Sequence, residues 1–165
     1  MREEFDVNLR KEDMFKFNMY HTYHSFHGWF SIFMVVFVMG IVVYTWGEMS
    51  LMYSMVCILM GIVILCYIPL NLWFHAKIQL DRTEALRNTQ HFTVDEKGIT
   101  ISQAGEEATL EWSKIYKVVE TKSNVLVYST RINAYVFPKR DIGDHLEGMC
   151  SMMKEQLETY RLKLK

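Results

Sequence analysis

Catalytic signatures are missing from this chain. There is no nucleophile elbow, no phosphate-binding glycine loop, no zinc motif and no paired-carboxylate set. Gly98, Gly105 and Gly143 stand alone, in segments that read as turns. Cysteine is scarce, with three in 165 residues. Cys57, Cys66 and Cys150 have no metal-ligand spacing, and a reducing compartment argues against a disulfide. They read as small apolar packing residues. Net charge is nearly absent, at −1, which removes any global case for a nucleic-acid partner. A cleavable signal peptide is not expected, because Glu3, Glu4 and Asp6 crowd the start and no short apolar run follows. We therefore expect no catalytic residue, no cofactor, no bound metal and no enzyme activity.

The most informative absence is local. No charged residue occurs from Trp29 to Trp46, and none from Leu51 to Phe74. Each run is near or above the roughly 18–20 apolar residues that cross a hydrocarbon core of about 30 Å. Lipid cannot satisfy backbone hydrogen bonds, so runs of this length predict two helices, joined by a tight turn at Gly47-Glu48-Met49-Ser50. Trp29 and Trp46 bracket the first run as interfacial aromatics do, and Tyr53 and Trp73 lie near the ends of the second. Pro69 predicts a kink near the exit of the second helix. Gly40 and Gly61 would permit close helix approach, within the pair or between copies. Arg10, Lys11 and Lys16 precede the first run and Lys77, Arg82 and Arg87 follow the second, whereas the turn carries only Glu48. That asymmetry predicts a multi-pass protein with both termini cytoplasmic.

The flanks carry separate signals. Phe5, Val7 and Leu9 alternate with polar residues and predict a strand that returns to pair with the sheet of the soluble part. Asn8 or Asp13 would then start an aromatic-rich interfacial helix running into the first membrane helix. His21, His24 and His27 recur every third residue, a step that slips by about 60° on a helix. Two of them could share a metal, with His75 on the same side of the bilayer, but no carboxylate or cysteine completes a ligand set. The plainer reading is amphipathic rings at the headgroup boundary.

From Gln90 the texture becomes strands and turns. Runs at 91–95, 99–102, 108–112, 117–121, 125–129 and 134–137 predict about six antiparallel strands. Pro138 ends the last of them. Asp141 reads as a helix N-cap, followed by Ile142, Leu146, Met149, Met153, Leu157, Tyr160 and Leu164 at steps of three or four. That stripe predicts one long closing helix. The expected organisation is an N-terminal strand and interfacial helix over 1–28 and a transmembrane hairpin over 29–74, with helices at 29–46 and 51–74. A cytoplasmic helix extension over 75–88 and a C-terminal domain over 89–165 follow.

This order resembles the YcxB-like family of bacterial membrane proteins. The resemblance rests on Phe92-Thr93-Val94 with Gly98-Ile99, on Trp112-Ser113-Lys114-Ile115, and on Lys117-Val118-Val119-Glu120-Thr121. Val127-Tyr128, Ala134-Tyr135-Val136-Phe137-Pro138-Lys139-Arg140 and the Phe5 to Asp13 opening complete it. It implies a bacterial inner-membrane location and an α+β membrane protein, in which a transmembrane hairpin precedes a small antiparallel sheet or barrel like a pleckstrin-homology (PH) domain, with a C-terminal closing helix. It adds little mechanism. The expected function is a membrane-anchored cytoplasmic binding or scaffolding module. The alternative is a small membrane enzyme or an accessory subunit of a transporter or sensor complex. The expected partners are membrane lipid and, near Lys139 and Arg140, a protein or an anionic headgroup.

Overall fold

The computed structural model describes residues 2–48, 50–103 and 105–164, with the backbone alone for His27 and Ala85. Strand β1 (Glu3–Val7) comes first, then helices α1 (Lys11–Tyr23), α2 (Phe26–Tyr44) and α3 (Leu51–Arg82). A short α4 (Glu84–Arg87) leads to β2 (Gln90–Asp95), β3 (Gly98–Gln103) and β4 (Glu106–Glu111). Then come β5 (Lys117–Glu120), β6 (Asn124–Tyr128) and β7 (Ala134–Pro138). The chain ends with α5 (Lys139–Ile142), α6 (Leu146–Gln156) and β8 (Leu162–Lys163).

The strands make an α+β fold with two four-stranded sheets, ordered β1-β2-β3-β4 and β7-β6-β5-β8. All pairings are antiparallel except β5 with β8. The sheets do not close into a barrel among the described residues. The reason lies at Trp112–Lys114, a single 3-10 turn between β4 and β5. The buried Trp112 donates its indole N–H to the Asp95 carbonyl at 3.0 Å, and the chain leaves the first sheet there. Phe92, Val94, Ile99, Val118, Val125, Val127 and Phe137 fill the space between the sheets.

The N-terminal strand pairs across a long gap in sequence. Phe5 lies opposite Phe92 and Val7 opposite Gln90, so α1, α2 and α3 all sit in the connection between two neighbouring strands. Phe5 packs on Phe92 and edge-on against Phe137.

Helix α1 is not the interfacial helix expected from its aromatics. Asp13, Met14 and Phe17 are buried, and α1 wedges between α3 and the sheets. Phe15 meets Trp73 edge-on and Lys11 Nζ lies 5.5 Å from the Trp73 ring centroid. Neither does α1 run straight into α2. Ser25 adopts an extended conformation, takes the Gly28 N–H on its Oγ and caps α2, and the two helices bend by 69°.

Helix α3 continues unbroken through Pro69 and absorbs most of the expected extension, ending at Arg82. It packs on α2 across a turn of which Met49 lies outside the described residues. Val35 and Val42 of α2 and Ser54 and Gly61 of α3 are buried in this seam, each pair seven residues apart. Gly61 faces Met39, whereas Gly40 is exposed with nothing beside it. Among the described residues, α3 is the one helix long and apolar enough to cross a membrane by itself. Helices α1 and α2 meet that criterion only when counted together as one bent span.

The closing helix is shorter than its apolar spacing predicts. Gly143, at φ +56°, interrupts it after Ile142. Asp141 caps nothing there, because its carboxylate is taken by Asn8 and Arg140. The helix stops at Gln156, and Leu162–Lys163 leave as β8 along β5. Arg161 anchors that departure by donating to the Ile115 carbonyl at 3.1 Å.

Gly98 closes the β2–β3 turn at φ +150°, where an added Cβ would fall 2.2 Å from the Leu110 carbonyl oxygen. We expect Gly98→Ala to destabilise the sheets by about 1–3 kcal/mol, read as a lower midpoint of chemical unfolding in detergent.

Candidate functional site

The α1 wedge creates the most built site of the molecule. Its inner face presents Met14, Phe17, Asn18 and His21 to a cavity of about 360 Å³. Leu9 and Phe92 wall it from the first sheet's side, and Ile132, Asn133, Ala134, Tyr135 and Val136 from β7 and the loop before it. Gln79 of α3, Leu86 of α4 and Gln90 close the remaining side. No Asp, Glu, Lys or Arg lines it among the described residues. The cavity is therefore apolar with a neutral polar rim, and within the size range of small-molecule sites.

His21 sits at its edge, stacked between Phe17 at 6.0 Å and Tyr128 at 6.2 Å. Burial, and then the charge of Lys117, hold its pKa below the ordinary histidine value of 6.5. Tyr128 is buried, and burial followed by the nearby Tyr20 pushes its pKa up to about 12. Lys117 Nζ lies 4.5 Å from the Tyr128 ring centroid, so a cation–π contact replaces a carboxylate partner. This is an aromatic cluster with one histidine, beside one cation.

A lowered histidine pKa has a definite sign. The unfolded chain binds the proton more readily than the folded one, so stability falls as pH drops from about 6.5 through the folded value. We expect His21→Gln to flatten that part of the acid limb. Unfolding midpoints measured in detergent between about pH 7.5 and about pH 5 should fall less in the variant than in wild type.

The three histidines do not converge. His21 faces the aromatic cluster, whereas His24 is exposed, its ring 4.0 Å from Tyr20 and its Nδ1 bonded to the Tyr20 carbonyl at 2.9 Å. The His27 side chain lies outside the described residues. His75 is exposed on α3. Among the described residues no group of three or more His, Cys, Asp or Glu is placed to hold a metal.

Lys139 and Arg140 are engaged inside the chain. Lys139 Nζ pairs with Glu120 at 2.5 Å. Arg140 grips the buried Asp13 with both terminal nitrogens, at 2.8 and 3.0 Å. It also donates to the Asn8 carbonyl at 2.8 Å and pairs through Nε with Asp141 at 2.9 Å. The Asp13 interaction raises the pKa of Arg140 further. Arg140 ties Asn8 and α1 to α5, and Lys139 ties α5 to β5.

Asp13 escaped the sequence reading as anything more than a helix start. Its signal is its place three residues after Arg10, whose backbone N–H it accepts at 3.0 Å. Two histidines were missed as well. His145 Nδ1 donates to Glu3 at 2.5 Å, and His91 Nδ1 donates to Asp6 at 2.7 Å, so both fasten β1.

The family model described as YcxB-like protein matches residues 94–147. The similarity to that family covers about a third of the chain. The match runs from within β2 to the first turn of α6 and so covers the core of both sheets. Strand β1, the three long helices and β8 lie outside it. Neither the curated proteins nor the solved structures contain a match to this chain. Within the match, β7 and the loop before it line the cavity beside α1, and the rest of the lining lies outside the match.

Proposed function

We propose that the protein is a two-helix membrane hairpin inserted into the first loop of a PH-like sandwich, which serves as a cytoplasmic binding module. The observation that carries this is the pairing of β1 with β2. Neighbouring strands of one sheet lie on one side of any membrane. The chain between Val7 and Gln90 must therefore cross an even number of times. With α3 as one crossing, α2 is the helix left to supply the other.

Surface chemistry supports the same reading. Trp29, Phe30, Phe33, Val36 and Phe37 of α2 are exposed, as are Met52, Met55, Leu59 and Ile62 of α3. An apolar surface of that extent is covered by lipid or a partner in a working protein. The basic residues Lys11, Lys16, Lys77, Arg82 and Arg87 flank the two apolar helices on the side of the sheets and Glu48 lies in the turn between them, a bias that supports a cytoplasmic location for the sheets and both termini. The neutral cavity beside α1, with no nucleophile and base in contact, favours binding over catalysis.

Two experiments test this. Alkaline carbonate should leave the full chain in the membrane pellet and detergent should release it; release by carbonate alone would overturn the anchor. Asn18→Trp should fill the cavity. A neutral small molecule that co-purifies with wild type should be lost from this variant, and identical small-molecule extracts would remove the cavity as the binding site.

A further inference from the structure

A second cleft, of about 530 Å³, opens where α1 ends. We propose that it binds the headgroup of an anionic membrane phospholipid, an inference that rests on the hairpin reading above. Tyr20 and His24 of the α1 end, Lys122 and Lys163, and the apolar Val119 and Leu164 line it.

Position is the first argument. His24 immediately precedes Ser25, which caps α2, and Phe26 is already exposed. If α2 enters the bilayer there, the cleft opens at headgroup depth. Charge is the second. Lys122 and Lys163 are exposed cations that converge from the β5–β6 turn and from β8. Neither makes an ion pair among those found in the described residues. The carboxylate in the lining, Glu120, is occupied by Lys139 at 2.5 Å. The site is therefore net positive, which suits an anionic headgroup.

The shape adds a third. The Tyr20 ring stacks on His24, whose Nδ1–H is donated to the Tyr20 carbonyl, so its Nε2 is left as an acceptor that suits a headgroup hydroxyl rather than the phosphate. Apolar Val119 and Leu164 in the same lining suit the glycerol and first methylenes of a lipid rather than a bare ion. A phosphodiester between two lysines, with a hydroxyl of the headgroup donating to His24 and the lipid glycerol against Val119 and Leu164, satisfies these groups together.

The test is native mass spectrometry of the full chain in detergent, titrated with phosphatidylglycerol and with phosphatidylcholine of the same acyl chains. Lys122→Gln with Lys163→Gln should weaken phosphatidylglycerol binding about 30-fold, roughly fivefold per lysine, and leave phosphatidylcholine unchanged. Lys122→Arg with Lys163→Arg should retain binding and shows that the fold survives changes at these positions. Lys97→Gln with Lys154→Gln, away from the cleft, should have no effect. An unchanged phosphatidylglycerol affinity in the first variant, or an equal loss in the distant one, overturns the proposal. Glycerol phosphate binding as tightly as the lipid also overturns it, in favour of a soluble phosphate ligand. Carbonate extraction reports the anchor separately, so failure of the lipid site and failure of the hairpin reading are distinguishable.

Discussion

Deleting Arg2 to Leu9 is expected to unfold the sheets while leaving the helices in the membrane. Strand β1 contributes Phe5 and Val7, at 5% and 1% exposure, to the centre of the core. Phe5 alone touches Phe92 and Phe137, and losing a buried phenylalanine side chain costs about 3–5 kcal/mol. The deletion also removes the Glu3–His145 and Asp6–His91 pairs, the Asn8 N–H bonded to Asp141 and the ladder along β2. Glu3 lies over Gly148 of α6, so the helix loses a neighbour too. Together these exceed about 5 kcal/mol, the low end of a domain's total stability. Limited proteolysis in membranes should therefore cut the truncated protein within residues 90–164 far faster than the full chain. Equal protease resistance would show that β1 is dispensable.

Arg140→Ala is the second large effect, at about 3 kcal/mol. Its partner Asp13 is 1% exposed, and the substitution leaves that carboxylate with the Arg10 N–H as its hydrogen-bonded donor. Removing one member of a buried pair typically costs about 3–5 kcal/mol, because the remaining charge stays desolvated. We take the lower end, since the Arg140 side chain is 35% exposed. Asp13→Ala should cost less, as Arg140 retains Asp141 and the Asn8 carbonyl. The double variant should be less unstable than the two single losses added together. Chemical unfolding in detergent measures all three, and additive losses would show that the pair is not coupled.

These two effects mark where the sequence is legible and where it is not. The strands from Gln90 to Pro138 follow from local alternation and turn residues, which depend on near neighbours. The long apolar helix Leu51–Arg82 is equally plain, because an absence of charge over that length has few explanations. Long-range partners left no such trace. Lys139 and Arg140 read as an exposed basic pair because Glu120 lies 19 residues away and Asp13 lies 127 away. The aromatics of α1 suit a bilayer surface and a buried wedge equally well, so composition could not choose between them. The closing helix was overextended for a similar reason. Leu157, Tyr160 and Leu164 keep a helical spacing, yet an open edge on β5 draws Leu162 and Lys163 into a strand. The cavity was invisible, since its lining comes from segments between Leu9 and Val136.

The central claim is that the chain crosses the membrane twice between two strands of one sheet. Single cysteines at Arg2, Glu48 and Lys163, in a background with Cys57, Cys66 and Cys150 replaced by Ala, test it with an impermeant thiol reagent on intact cells. The account predicts that Glu48→Cys is labelled from outside, while Arg2→Cys and Lys163→Cys react only after the cells are opened. Labelling of Glu48→Cys only after opening, or of Arg2→Cys and Lys163→Cys from opposite sides, would contradict it.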